Sequence, residues 1–174
     1  ACFDPKKSFW ISGQHFKKMD DNKYLKFVKP FIKIDLNKIT SANNHDMLLL
    51  MFKPQISAAN ELNTLIPNTF GNIDFAKMDD TLKQFIKTES SIKVLNALKA
   101  KLESTDKLDV AASDKIINEL KSELLPIKGK EFFMPLRIAC IAKEHGPEMP
   151  KTFALIGKDQ ILKNIKWLLE SVEA

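Results

Sequence analysis

Residues 127–149 read IKGKEFFMPLRIACIAKEHGPEM. They include Arg137, the only arginine in a chain of 174 residues whose other strong bases are 26 lysines. Lysine carries a point charge on a flexible stem. Arginine carries a planar fork that can hold a phosphate or a base edge at two points and stack on a ring. Pro135, two residues earlier, suits the first turn of a helix, where proline's missing N–H has no bond to make. Arg137 then falls in that same first turn, where a cation opposes the helix dipole, so helix stability does not account for it. Ile138 to Ala142 (IACIA) is apolar on every face and predicts a buried helix. Glu144 to Pro150, with Gly146, Pro147 and Pro150, predicts a rigid loop. A second reading of Arg137 stays open on chemistry alone: a surface ion pair with Glu131 or Glu144.

Working outward, only five glycines and eight prolines punctuate the chain, and helical spacing recurs in most segments. The expected fold is therefore all-α, a bundle of two packed helical modules. Residues 1–18 form an entry segment in which Phe3, Phe9, Trp10, Ile11 and Phe16 are packing residues and Ser12-Gly13 a turn. Asp20 or Asp21 caps a helix over 22–31 with Tyr24, Leu25, Phe27, Val28 and Phe31 apolar. Ser41 opens a second helix, which reaches Lys53-Pro54-Gln55, where proline bends or ends it. A third helical piece spans 56–65. Pro67 to Gly71 is the expected boundary, giving a front module over 1–70 and a second over 71–174. In the second module Thr81 with Gln84 resembles a capping box at the start of a helix over 80–87. Apolar residues at spacings of three and four predict a helix over 91–103. Ser113 caps another that Pro126 stops. Thr152 begins a short helix ended by Gly157. Asp159 caps the last, whose stripe of Ile161, Leu162, Ile165, Leu168, Leu169 and Val172 is strongly amphipathic.

Net charge is +5, which leans towards an anionic partner such as nucleic acid. Cys2 and Cys140 are the only cysteines, so no disulfide framework exists and a reducing compartment fits. No run approaches the roughly 18 apolar residues that span a bilayer, and ACFDPKK lacks the apolar core of a signal peptide. The chain lacks an initiator methionine and is expected to be a piece of something longer. No catalytic constellation stands out. His15, His45 and His145 are far apart, and Cys140 with His145 lacks a second half-site. The scattered glycines form no phosphate-cradling loop, and there is no Gly-x-Ser-x-Gly elbow. Asp79-Asp80 reads as a helix cap. On residues alone this is a binding module.

Two stretches carry a resemblance. Residues 130–158, KEFFMPLRIACIAKEHGPEMPKTFALIGK, are similar to the carboxy-terminal signature of bacterial glutamyl-tRNA synthetases. That signature has Pro-Leu-Arg, small apolar residues, a Gly-Pro loop, then Leu-Leu-Gly-Lys; here the last is Leu155-Ile156-Gly157-Lys158. Residues 3–16, FDPKKSFWISGQHF, resemble the family's segment just after its catalytic part, with Ser12 in place of an asparagine. The resemblance covers both ends in order; residues 70–125 add no weight. It implies the all-α tRNA-contacting half of a class I synthetase, with a stem-contact module followed by an anticodon-binding domain. The family's ATP-site signatures are absent, so the chain alone is expected to be inactive and to bind no cofactor. The parent enzyme would join glutamate to tRNA with ATP and Mg in the cytoplasm. The implied partners are glutamate tRNA, and the catalytic domain of the same polypeptide, in a monomer away from membranes.

By the same resemblance, Arg137 contacts anticodon nucleotides, and Gly146, Pro147 and Met149 line the first two anticodon bases. The family's basic-Pro-Arg turn, which inspects the third base, falls on Lys53-Pro54-Gln55. There Gln55 replaces an arginine that goes with rejecting glutamine tRNA, and a neutral amide cannot make the same forked contact. Relaxed discrimination, with glutamine tRNA as a further partner, is the expectation. An all-α protein-interaction module with solubilising lysines, and a small helical enzyme using carboxylates near Arg137, are the competing readings.

Overall fold

The computed structural model describes residues 16–71 and 73–173, and every regular element within them is an α-helix or a 3-10 turn. The fold is all-α. The roles expected for Phe3, Phe9, Trp10, Ile11 and Ser12-Gly13 lie outside the described residues. The chain divides into two compact units, Ala1–Gly71 and Asn72–Ala174.

In the first unit, α1 (Asp21–Val28) is capped by Asp20, whose carboxylate accepts from the backbone N–H of Asn22 at 3.1 Å and of Lys23 at 3.4 Å. These are donors with no partner inside the helix. Tyr24, Leu25 and Val28 are buried on one face. Phe27 and Phe31 are 44% and 45% exposed, and the helix expected over 22–31 tightens into a 3-10 turn over Lys29–Phe31. Ser41 precedes another 3-10 turn, Ala42–Asn44, without a side-chain cap bond, and α2 (His45–Met51) follows. The Tyr24 hydroxyl donates to the Leu49 carbonyl at 2.6 Å, tying α1 to α2. The chain then turns through Phe52 to Gln55, so Pro54 lies beyond the helix end.

α3 (Leu62–Phe70) starts later than expected and runs straight through Pro67 to its C-cap, Gly71. Pro67 is the sixth residue of this helix, so its missing N–H orphans the Asn63 carbonyl, at roughly 3 kcal/mol. Leu62, Ile66 and Phe70 are buried on one stripe. Each contributes on the order of 1.5–3 kcal/mol, which together outweighs the proline penalty. At Gly71 an added Cβ would lie 2.8 Å from the Pro67 carbonyl oxygen, so this tight end excludes other residues.

The second unit holds α4 (Asp80–Ile86), α5 (Glu89–Glu103), α6 (Val110–Glu123), α7 (Lys130–Ile141), α8 (Met149–Ile156) and α9 (Lys158–Glu173). α7 packs on α4, α5, α8 and α9, and α6 packs on α5 and α8. Val94, Leu95 and Leu98 of α5, Leu120 of α6, Phe132, Leu136 and Ile138 of α7, and Ile161 and Ile165 of α9 are wholly buried. At the helix starts, Asp79 caps α4 through the Thr81 N–H at 2.8 Å, as its acidic pair predicts, and Thr81 lies inside the helix instead of opening a capping box. Thr88 caps α5 through Ser91. Asp109, not Ser113, caps α6 through the Ala112 N–H at 2.8 Å. Ser113 is instead buried inside the helix and donates to the Asp109 carbonyl at 2.7 Å. Lys101 of α5 reaches Glu119 and Glu123 of α6 at 2.8 Å each. Buried Asn164 of α9 donates to the Ala139 carbonyl at 2.8 Å, satisfying an acceptor at the end of α7.

Candidate nucleic-acid interface

Gly129, with φ 61°, precedes α7 in a backbone conformation that suits glycine. The helix therefore begins five residues before Pro135. The proline expected in a first turn is instead the sixth residue, buried in the interior, where it orphans the Glu131 carbonyl as Pro67 does that of Asn63. Arg137 lies in the C-terminal half of α7, so the dipole does not oppose its charge. Ala142 ends the helix in the left-handed conformation, φ 57°, donating to the Ile138 carbonyl at 2.9 Å. For a residue other than glycine that costs roughly 1–2 kcal/mol. The loop that follows is shorter than predicted, because Met149 already opens α8 with Pro150 in its first turn. Met149 is buried and Thr152 lies within the helix.

Arg137 is half-buried at the rim of this arrangement. Its Nη1 donates to the Glu144 backbone carbonyl at 3.4 Å, while its Nε is buried without a partner. Among the described residues it forms no ion pair. The Glu144 carboxylate goes to Lys130 at 3.5 Å instead, and Glu131 is exposed. The loop lies over the arginine stem. A Cβ at Gly146 would sit 2.5 Å from the Ile141 Cδ1 and 3.8 Å from the Arg137 Cδ and Nε. Arg137, Phe133, Met149 and Pro150 form one side of an open hollow of about 510 Å³, with Asn118 and Lys121 of α6 on the other. The Lys121 ammonium stands 6.0 Å from the centre of the Phe133 ring. Asn118 donates to Asp114 at 3.3 Å, and Asp114 brings the one carboxylate to the rim.

Of the residues singled out in the sequence, Arg137, Gly146 and Met149 come together, with half-buried Pro147 in the same loop. Lys53 and Gln55 belong to the first unit. Lys53 is held there by Asp21 at 3.0 Å and by the Met19 carbonyl, with its ammonium 5.9 Å from the Tyr24 ring centre. Gln55 is exposed at the end of the turn. Sequence reasoning missed Phe133, Asn118 and Lys121. Phe133 and Arg137 are four apart on one helix, and Asn118 and Lys121 three apart on another, so each pair shares a face. Cys140 is fully buried, and burial pushes its thiol well above the usual range although the Arg137 charge pulls the other way. It is a core residue, and His145 is exposed in the loop. Among the described residues no cluster of three or more His, Cys, Asp or Glu is placed to hold a metal, and no helix is long and apolar enough to cross a membrane.

The family model described as "Anticodon binding domain" matches residues 16–169. The chain is 35% identical over 172 residues to the glutamate–tRNA ligase of Malacoplasma penetrans (strain HF-2), covering 98% of this chain and 34% of that protein. It is 34% identical over 176 residues to the glutamate–tRNA ligase of Mycoplasmoides gallisepticum, covering 95% of this chain and 35% of that one. The chain thus spans about a third of the length of these relatives. It shares its fold with a solved glutamate tRNA ligase from Elizabethkingia meningosepticum in complex with its amino acid. The TM-score is 0.74 over 98% of this chain and 33% of that one, at 17% identity. The helical architecture and the family match over most of the described residues agree: the chain belongs to the anticodon binding domain family.

Proposed function

We propose that this chain is the tRNA-binding part of a glutamate–tRNA ligase, and that the Arg137 hollow receives unpaired anticodon nucleotides. The observation that carries this is a fork without a carboxylate, facing an open hollow under a Gly-Pro loop. Unstacked bases are recognised by stacking and by hydrogen bonds to their edges, and a planar guanidinium beside an aromatic ring and exposed backbone groups offers both. Gly146 lets the loop close over Ile141 beside Arg137, Pro147 stiffens it, and Met149 supplies soft apolar contact. The first unit contacts the tRNA stem, with the exposed Pro54-Gln55 end of its Lys53-Pro54-Gln55 turn near the third anticodon base and Lys53 holding the turn in place from inside the unit. ATP and Mg act on the catalytic part of the same monomeric, cytoplasmic polypeptide, and this chain alone aminoacylates nothing. Gln55 lacks a guanidinium, so the full polypeptide charges glutamine tRNA as well as glutamate tRNA.

Footprinting glutamate tRNA with the full-length protein tests the first claim. Protection is expected at the anticodon loop, and affinity falls steeply as salt rises because phosphate contacts release counterions. Protection confined to the acceptor end, or no tRNA binding at low salt, overturns it and leaves a protein-interaction module. Charging each purified transcript with the full-length protein tests the second: strict rejection of glutamine tRNA ends it.

A further inference from the structure

Phe133 is half-buried, one turn before Arg137 on the same face of α7. Its ring is held edge-on by the wholly buried Phe132, with centres 4.9 Å apart and planes at 79°. It lines the hollow, and the cation standing over the ring is the tip of Lys121, a flexible side chain on the exposed face of α6. A ring braced from behind, with a movable cation in front, is suited to accept a flat ligand. The volume of about 510 Å³ lies within the roughly 300–1,000 Å³ of pockets that take small ligands.

Resting on the anticodon-binding role above, we propose that Phe133 is the platform on which one flipped-out anticodon base stacks, and that Lys121 leaves the ring for that nucleotide's phosphate as the base arrives. Stacking on an aromatic side chain tolerates any base, because every base has a π-face. Phe133 therefore sets affinity, and edge contacts from Arg137 set which base is preferred. The exchange at Lys121 couples the two components: a cation–π contact in the free protein becomes a phosphate contact in the complex.

The test uses the full-length protein and an anticodon stem-loop of glutamate tRNA with 2-aminopurine replacing each anticodon base in turn. One of the three positions is expected to lose fluorescence on binding to the wild type and to stay bright with Phe133→Leu, which keeps apolar volume but not the ring. Phe133→Leu lowers affinity about tenfold with the salt dependence unchanged. Lys121→Gln lowers the slope of log affinity against log salt by about one. Phe133→Tyr keeps the ring and the quenching, which separates stacking from folding if the leucine variant misfolds. If Arg137→Ala weakens binding while Phe133→Leu changes neither affinity nor quenching, the platform is refuted and the anticodon role stands. Loss of quenching in a folded Phe133→Tyr protein refutes it too. If neither Arg137→Ala nor Phe133→Leu alters binding and the anticodon loop is unprotected, the anticodon role fails and takes the platform with it.

Discussion

Lys53 and Arg137 both looked like ligand contacts, and the molecule treats them in opposite ways. Lys53 is folded back into its own unit, where Asp21, the Met19 carbonyl and the Tyr24 ring surround its ammonium. Arg137 has one long bond to a loop carbonyl and a buried Nε without a partner. The first is a cation whose hydrogen bonds are made inside the fold. The second makes one long bond, and its Nε is shut off from solvent without an acceptor. An unpartnered buried donor is unfavourable by roughly 1–3 kcal/mol. Satisfaction within the fold, more than charge or exposure, separates the structural cation from the candidate contact.

The sharpest way to break this contrast is Arg137→Ala. Cognate tRNA affinity in the full-length protein is expected to fall by about 1–3 kcal/mol, with the helical spectrum and unfolding midpoint unchanged. A lowered midpoint with unchanged affinity would make Arg137 the structural cation of the two.

The reverse substitution, Lys53→Met, keeps the apolar stem and removes the ammonium. Stability is expected to drop by about 1–2 kcal/mol in urea titration, chiefly from the lost bond to Met19. The Asp21 contact contributes little because that carboxylate is 67% exposed. tRNA affinity is expected to hold. A loss of affinity with unchanged stability would place Lys53 on the ligand.

How far these assignments were legible in the sequence follows from particular residues. Arg137 was legible because it stands alone among lysines, and the all-α class because apolar residues recur at three and four. The start of α7 was not. Pro135 suggested a first turn, yet the helix begins at Lys130 after Gly129. The helical piece expected over 56–65 likewise runs on through Pro67, as α3, to Phe70. In both cases a buried apolar stripe outweighs a single lost hydrogen bond, a comparison that local proline rules do not contain. The cap of α6 moved for a related reason. Ser113 has a cap-forming side chain, but Asp109 stands earlier and accepts from a free first-turn N–H. At α4 the Asp79 cap was legible from its acidic pair. The α6 side of the hollow was hidden because Asn118 and Lys121 become part of a site only once α6 packs beside α7 and α8. No spacing within α6 announces that.

A smaller effect tests how firmly the first unit holds its polar groups. Burial raises the Tyr24 phenol well above its ordinary pKa of about 10. The phenol thus stays protonated in the fold at pH values where it ionises in the unfolded chain. Its contribution is complete below about pH 10 and is lost as pH rises above that, so stability declines on the alkaline side. Tyr24→Phe is expected to lower stability by about 1 kcal/mol at neutral pH, since it leaves the Leu49 carbonyl without this donor. It also flattens the alkaline decline. Urea midpoints of both proteins at pH 8 and near pH 11 check the sign. An equal alkaline loss in the two would mean that Tyr24 does not titrate differently on folding.

The smallest expected effect is at Gly146, and it decides what the close approach of loop and arginine is for. An added Cβ meets Ile141 Cδ1 at 2.5 Å, the far end of a side chain that can yield, and stays at ordinary contact distance from Arg137. Gly146→Ala is therefore expected to change stability by less than about 1 kcal/mol. If the loop matters only as a cover for Ile141, tRNA affinity should follow stability and stay nearly constant. If the loop fixes the direction of the Arg137 fork, affinity should fall several-fold while the unfolding midpoint barely moves. The alanine variant should then lose more affinity for tRNA with the native anticodon than for tRNA with a substituted one. That pattern would set Arg137 apart from Lys53 in one further respect: the fork needs a neighbouring backbone to aim it, whereas the lysine is aimed by its own bonds.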